Sequence, residues 1–191
     1  MTTSTSPKVL WSSDETGVKI LSAYIDPEES PVEYHQTALS HWNTLRGERF
    51  APRWKEISLM DYGFDVVPFI SVTDLQAEPL RSQYRFWGTR LTEMYGGDYT
   101  GCTPADVPPK TLGMSIDGGC GRLVKDRVPS YEVKEFKTQK GTFGRALILR
   151  LPLSDDGQSV SNGINIYYLE QRNPKQPLSA FFENVFAKLQ S

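Results

Sequence analysis

The sequence predicts an α+β protein built on one five-stranded antiparallel sheet, with helices lying across one face of that sheet. Residues 66–72 and 83–87 read as two neighbouring strands, and residues 110–127 repeat apolar side chains at helical spacing. Three further strand-like runs lie between residues 131 and 169, and the short turns between them favour antiparallel neighbours. Because a lone two-stranded hairpin is marginally stable in water, both groups of strands are expected to share one sheet.

Two flanking helices are expected outside this core. Residues 30–33, Ser-Pro-Val-Glu, combine a capping box with proline at the first helical position, and Gly47 supplies a left-handed stop. Residues 178–189 place apolar side chains on one helical face, which is typical of an amphipathic helix. The chain is therefore divided into an N-terminal extension (1–29), a leading helix and connector (30–65), a core (66–170) and a C-terminal helix (171–191).

Composition and charge exclude several classes of function. The chain has 191 residues with 21 Lys and Arg against 23 Asp and Glu, so it lacks the basic field that nucleic-acid binding requires. No run of about 18 apolar residues occurs, and the N-terminus lacks the pattern of a secretory signal, which together predict no membrane span and a cytoplasmic location. Two cysteines are too few for a disulfide framework or a four-thiolate zinc site.

Three stretches carry a resemblance to a known family. Residues 84–101, YRFWGTRLTEMYGGDYTG, resemble the central motif of a PAS-like family of short bacterial proteins, in which a strand ending in Gly-Thr leads into a short helix and a turn ending in Thr-Gly. Residues 39–47 and 151–157 are similar to the family's leading helix and to the turn before its last strand. The resemblance covers about residues 36–169. It implies the PAS sensor fold, with a stand-alone sensory role and no defined ligand.

Such a fold leaves a concave space between helices and sheet where a small ligand would bind. Alternation along the strands places Tyr84 and Phe86 on one face of their strand. The alternative is that these side chains simply fill a close-packed core. The pocket candidates are Tyr84, Phe86, Met94, Tyr99, Leu112, Ile116, Leu147, Leu149, Ile164, Asn165, Ile166 and Tyr168.

The sequence lacks the residue patterns that would bind the usual cofactors of PAS proteins. The two histidines, His35 and His41, lie on the leading helix and are expected on the surface or at an interface, which disfavours haem and a metal site. Cys102 lies near the turn where flavin photosensors carry a reactive cysteine, but the surrounding motif is absent, which disfavours covalent flavin. Cys120 is expected to be a buried packing residue. The cofactor therefore stays unknown.

The sequence favours a regulatory domain that binds a small molecule or a protein partner, and it shows no catalytic residue. A small cavity enzyme of the isomerase or cyclase kind, and a structural interaction domain with a filled core, remain alternatives. The apolar stripe of the C-terminal helix must be buried either on its own sheet or on a partner chain. A homodimer is expected, with these interface candidates: Phe181, Phe182, Val185, Phe186 and Leu189.

Overall fold

The computed structural model of the protein describes residues 11–13, 18–107, 110–138 and 141–171. The expected C-terminal helix lies outside these residues, and so do the five interface candidates Phe181, Phe182, Val185, Phe186 and Leu189. Within the described residues, none of the helices has the length and apolar character that crossing a bilayer demands.

Seven strands and three helices make up the described chain, with short 3₁₀ turns between several of them. The strands are β1 (Trp11–Ser13), β2 (Val18–Ile25), β3 (Ile70–Gln76), β4 (Arg81–Trp87), β5 (Ser130–Thr138), β6 (Gly141–Leu153) and β7 (Asn162–Gln171). The helices are α1 (Glu33–Arg46), α2 (Thr89–Tyr95) and α3 (Lys110–Asp126).

All strands belong to one antiparallel sheet in the order β1-β2-β5-β6-β7-β3-β4. Strand β3 lies between β4 and β7, with Ile70 opposite Ile166, so the early hairpin and the late three-stranded meander share the sheet as expected. The expected count of five strands was wrong. Strand β2 pairs with β5 along its whole length, giving six strands of seven or more residues, and the three-residue β1 continues that edge. A free edge of β5 would leave its backbone groups unpaired, and the N-terminal segment supplies the partner.

Helices cover both faces of the sheet. Leu39 and Trp42 of α1 pack in one apolar cluster with Leu149 of β6. Leu112 of α3 packs in a separate cluster with Ile148, the neighbouring residue of β6. The expectation of helices on one face therefore holds for α2 and α3, while α1 covers the opposite face. We call these two sides the α1 face and the α3 face.

Of the two features expected to bound α1, the C-terminal glycine forms as expected and the N-terminal capping box does not. Gly47 has a φ of 56°, and its amide donates to the carbonyl oxygen of Asn43, which ends the helix. At the other end α1 begins at Glu33, and the Ser30 hydroxyl accepts a hydrogen bond from the amide of Val32, ahead of the helix. The proposed capping box therefore does not form, although the helix starts beside it.

A β-bulge in β4 changes the direction of its side chains. Val72 of β3 lies opposite Phe86, but the next residue, Thr73, lies opposite Tyr84, so Arg85 is an extra residue in β4. Tyr84 therefore points to the α3 face, whereas Phe86 packs on the α1 face. The expectation that these two side chains share a face was wrong, because simple alternation fails wherever a bulge inserts a residue.

Candidate ligand-binding site

The pocket candidates divide between the two faces of the sheet, so one cavity cannot hold all of them. Because β6 alternates, its odd-numbered leucines point to α1 and its even-numbered residues point to α3. The α1 face carries Phe86, Leu147, Leu149, Ile164, Ile166 and Tyr168. The α3 face carries Tyr84, Met94, Tyr99, Leu112, Ile116 and Asn165.

The α1 face is an apolar core. Ile70, Leu149, Ile164 and Ile166 are completely buried there, and the Trp42 indole nitrogen donates to the Pro152 carbonyl oxygen over 2.8 Å. Side chains of this kind stabilise the fold by removing apolar area from water. The core-filling alternative therefore describes the candidates on this face.

His35 lies inside this core, which corrects its expected surface position. Its imidazole is 1% exposed, packs edge-on against Tyr34 and Tyr131, and has the Ser30 hydroxyl 3.3 Å from Nδ1. Burial lowers the pKa of His35 to about 4, although a hydrogen bond to the backbone of Ile166 opposes the shift, so the ring is neutral at pH 7. The sequence carried a signal for this position, since His35 continues the buried stripe of Ala38, Leu39 and Trp42.

His41, in contrast, lies near the surface as expected. Its Nε2 atom is 3.7 Å from Asp61 Oδ2, and its ring packs edge-on against Tyr62. The two histidines therefore do not meet at one site. Among the residues that the structure describes, no three His, Cys, Asp or Glu side chains lie together in a way that could hold a metal ion.

The α3 face contains a buried cluster of three charged side chains, Glu132 and Lys134 of β5 and Arg150 of β6. All three are at most 1% exposed. Arg150 Nη1 lies 2.7 Å from Glu132 Oε2, and Lys134 Nζ lies 3.5 Å from Glu132 Oε1. One carboxylate thus faces two cations, and the cluster carries a net charge of +1 when all three groups are ionised.

The protonation of these groups follows from burial and mutual attraction. Burial acts to raise the pKa of the Glu132 carboxyl, but Lys134 and Arg150 outweigh it and hold that pKa below its usual value. Burial lowers the pKa of Lys134 to about 8, against the attraction of Glu132. For Arg150, burial opposes the charge, but Glu132 raises the pKa above its usual value. At pH 7 all three groups are therefore charged.

Several hydrogen-bond donors around the cluster have no acceptor within the described part of the chain. They include Nε and Nη2 of Arg150, the Tyr84 hydroxyl and the Trp87 indole nitrogen. Lys134 Nζ makes only the long contact to Glu132. The guanidinium of Arg150 acts electrostatically on the Tyr84 phenol, and the Tyr84 and Trp87 rings lie 4.7 Å apart edge-to-face. Unpaired buried donors are uncommon in folded proteins, and a bound ligand is one way to satisfy them.

Helix α3 lies directly on this cluster because of one glycine. A Cβ atom built on Gly119 would lie 2.8 Å from Cζ, Nε and Nη2 of Arg150, which is closer than a side chain tolerates. The neighbouring Gly118 has open space around it. The absence of a side chain at position 119 therefore allows the helix backbone to approach the guanidinium.

A cavity of about 290 Å³ leads from the surface to the cluster between β2 and α3. Glu132 forms part of its inner wall, and Arg122 stands at its rim with the guanidinium 4.2 Å from the Tyr24 ring centre. The cavity is lined by Ser22, Tyr24, Met114, Ser115, Gly118, Arg122 and Glu132. Lys134 and Arg150 are not part of this lining, so a small molecule entering here meets the cluster at the Glu132 carboxylate.

A wider groove of about 560 Å³ lies at the end of the β3–β4 hairpin. Several of its polar groups are paired, since the Ser82 hydroxyl donates to Asp117 over 2.7 Å and Asp74 accepts from Arg85 and Asn162. The groove does not reach the charged cluster, whereas the cavity beside α3 is lined by Glu132. For this reason we take the cavity and the Glu132–Lys134–Arg150 cluster together as the candidate site.

Sequence reasoning missed this cluster. Glu132 and Lys134 alternate with apolar residues of β5, a pattern that favours a solvent-exposed strand face. One signal was present: Arg150 interrupts the apolar run from Ala146 to Leu153, where a charge in a central strand needs a buried partner. The glycines at 118 and 119 marked the helix that covers it.

Comparison with known proteins gives no further guide. No model of a protein family matches the chain, and no curated protein is similar to it at a significant level. What the protein does must therefore follow from the chemistry of the site between α3 and the sheet.

Proposed function

We propose that the chain is a PAS-like sensory or regulatory domain that binds a small ligand in the site between α3 and the sheet. One observation carries this proposal: a cavity between β2 and α3 reaches Glu132, the carboxylate of a buried cluster of three charged side chains. Leaving a buried polar group unpaired costs about 1–3 kcal/mol, so a ligand whose polar groups pair with the cavity wall recovers free energy on binding.

The architecture supports the PAS-like part of the proposal. The hairpin β3–β4 and the meander β5–β6–β7 share one sheet, and α2 and α3 cross the same face of it. This is the arrangement that the resemblance over residues 84–101 implies, with the ligand between helix and sheet. A domain of this kind passes its signal to a protein partner or to a second copy of the chain.

Proton-transfer chemistry at Glu132 is the second function that the residues allow. Glu132 is a buried carboxylate at the wall of a cavity that also contains Tyr24. However, Lys134 and Arg150 keep the pKa of Glu132 below its usual value, which makes it a weak proton acceptor at pH 7. The chemistry of the cluster therefore favours binding over catalysis.

Native mass spectrometry of freshly purified protein, combined with a thermal-shift screen of small molecules, tests the proposal. The variant Gly118→Leu places a side chain in the open space at the cavity mouth, where it blocks entry without a steric clash. We expect wild type to retain or bind a small molecule and Gly118→Leu to bind it about tenfold more weakly or worse.

The matched control is Lys125→Leu, which places the same side chain at an exposed position of α3 outside the cavity lining. It should bind the ligand as wild type does. A protein that retains no small molecule and responds to none in the screen would rule out the ligand-binding function. Equal binding by Gly118→Leu and wild type would show that the ligand binds elsewhere.

A further inference from the structure

We infer that a groove on the outer surface of α1 binds an extended peptide segment of a partner protein. The segment carries a basic and an acidic residue about four or five positions apart. The groove shares no lining residue with the cavity beside α3, so it is a second site. Three features of the groove indicate this occupant: its length, the separation of its charges and its apolar floor.

Two adjoining depressions of about 360 Å³ and about 610 Å³ form the groove. Both are lined by Glu28, Leu39 and Asn43, so they are continuous along α1. The 3₁₀ turn Pro27–Glu29 forms one wall near the start of the helix, where the Gln36 side-chain amide donates to two carbonyl oxygens of that turn. The segment that joins α3 to β5 forms the other wall.

Opposite charges line the two ends of the groove. Asp26 and Glu28 belong to the turn beside Gln36, whereas Arg46 lies at the last turn of α1. Gln36 and Arg46 are ten residues apart on one helix, which corresponds to about 15 Å at about 1.5 Å per residue. An extended segment covers this distance with about four or five residues, at about 3.3 Å each.

Two arginines at the basic end are held in place without a carboxylate. The Arg127 guanidinium stacks on the Phe50 ring, 4.2 Å from its centre, which leaves the N–H groups at its edge available. Arg46 donates to the Asn43 side-chain oxygen and to the carbonyl oxygen of Arg49, which are both neutral acceptors. In the described part of the chain, neither arginine forms an ion pair, and neither does either acidic residue of the other end. The four charges are therefore available to a partner.

Arg127 keeps its position at a cost in backbone strain. Its φ is 57°, a left-handed conformation in which glycine or asparagine is usual at the end of a helix, and its amide donates to the Leu123 carbonyl oxygen to end α3. A glycine would end the helix without strain but would supply no guanidinium to the groove. Strained residues of this kind occur preferentially at functional sites.

An apolar floor joins the charged ends. Leu39 and Trp42 of α1 line the groove between them. Val128, which is 55% exposed, and Pro129 add an apolar wall beside Arg127. An apolar side chain between the two charged residues of the segment would lose contact with water here. A simple cation or anion would use only one end, so the groove favours a segment that carries both charges.

Capped pentapeptides test the inference on the unmodified chain by ¹⁵N–¹H NMR titration at pH 7. Lys-Ala-Leu-Ala-Glu and its reverse, Glu-Ala-Leu-Ala-Lys, carry both charges in the two possible chain directions, and Gln-Ala-Leu-Ala-Gln carries neither. We expect at least one mixed-charge peptide to bind about fivefold more tightly than the neutral peptide. Its amide shifts should be concentrated in residues 26–28, 36–46 and 127–128.

Two charge reversals test the ends of the groove separately. Arg127→Glu should lower the affinity for the mixed-charge peptide about fivefold, and it should raise the affinity for Lys-Ala-Leu-Ala-Lys because it removes repulsion at the basic end. Glu28→Lys should likewise weaken the mixed-charge peptide and strengthen Glu-Ala-Leu-Ala-Glu. The control Arg90→Glu makes the same change of net charge as Arg127→Glu, but on α2 and outside the groove, and should bind the peptides as wild type does.

Three results would overturn the inference: failure of both mixed-charge peptides to bind, amide shifts outside the groove, or unchanged peptide affinities in both Arg127→Glu and Glu28→Lys. If dilution of the chain alone shifts the same amides, a second copy fills the groove and the separate partner is wrong. The NMR spectrum of each variant verifies that it is folded. A negative result leaves the ligand-binding function intact, because that function is tested by retained small molecules and by Gly118→Leu.

Discussion

Both faces of the sheet bury apolar side chains, but the α3 face also buries a cluster of three charged ones. The α1 face consists of completely buried aliphatic side chains, such as Leu149 and Ile166, packed against Trp42. The α3 face carries Glu132, Lys134 and Arg150 under a helix that approaches them at Gly119. Neighbouring residues of one strand, Leu149 and Arg150, thus lie in an apolar core and in a charged cluster.

The two kinds of buried side chain contribute differently to the stability of the fold. Aliphatic burial stabilises a fold in proportion to area, whereas a buried ion pair often contributes nothing net, because desolvation offsets the attraction. The charged cluster therefore does not explain why the protein folds. The apolar clusters of both faces supply stability, and the α3 face carries the added cost of the buried charges.

The largest expected effect comes from truncation of the α1 face. Leu149→Ala should lower the free energy of unfolding by about 2–5 kcal/mol, because it leaves a cavity at a completely buried position. Lys134→Met on the other face should leave that free energy unchanged or raise it, since it removes an unbalanced buried charge. Urea titration followed by tryptophan fluorescence measures both. Equal losses in the two variants would contradict the division between the faces.

Acidification should lower the free energy of unfolding because His35 is buried as a neutral ring on the α1 face. The pKa of His35 is about 4 in the folded protein and 6.5 in the unfolded chain, so only the unfolded chain takes up a proton as the pH falls from 7 to 5. Stability should therefore decrease over this range by about 2 kcal/mol. His35→Phe should lose this part of the pH dependence in urea titrations, whereas His41→Gln should keep it. The same slope in His35→Phe and wild type would show that other groups cause it.

The close approach of α3 to the cluster can be tested with two adjacent glycines. Alanine favours helix over glycine by about 1 kcal/mol, so Gly118→Ala, with open space around it, should raise the thermal midpoint. Gly119→Ala should instead cost about 1–2 kcal/mol net, because its methyl group collides with the buried Arg150. Differential scanning calorimetry compares the two. A stabilised Gly119→Ala would mean that α3 does not rest on the guanidinium.

The smallest expected effect is an increase of stability in mild alkali. The pKa of Lys134 is about 8 when folded and 10.5 when unfolded, so above pH 8 the folded protein loses a proton that the unfolded chain keeps. This difference in proton binding by Lys134 should raise the free energy of unfolding by about 1 kcal/mol between pH 7 and 9. The difference between wild type and Lys134→Met in urea titrations isolates this contribution from that of Cys120 and the tyrosines. A difference that stays constant with pH would contradict the shift.

The sequence was a good guide wherever local patterns decide structure. Helix α3 was expected over residues 110–127 and runs from Lys110 to Asp126, and the hairpin and meander appear in one sheet. The failures have a common cause, which is that burial is a tertiary property. Glu132 and Lys134 occupy positions that alternation assigns to solvent, and only the placement of α3 makes them buried.

Two other differences between the expected and the observed structure arise from strand geometry and pairing. The bulge at Arg85 places Tyr84 and Phe86 on opposite faces, and the residue types of β4 do not predict a bulge there. Strand β2 lies in the segment that was expected to be an N-terminal extension, and its pairing with β5 joins segments more than a hundred residues apart, which no local pattern predicts. The sequence therefore predicted the helix of the candidate site and one of its aromatic residues, Tyr84, but not Tyr24, Trp87 or the three charged residues.

Strand β6 connects the α1 face and the α3 face, because its side chains alternate between the two. A shift of the Arg150 backbone would act on the adjoining residues Leu149 and Leu151, whose side chains pack in one cluster with Trp42 of α1. Farther along the same strand, the Pro152 carbonyl oxygen accepts the hydrogen bond of the Trp42 indole. A protein that keeps Trp42 as its single tryptophan would thus report optically, from the opposite side of the sheet, on events beside α3.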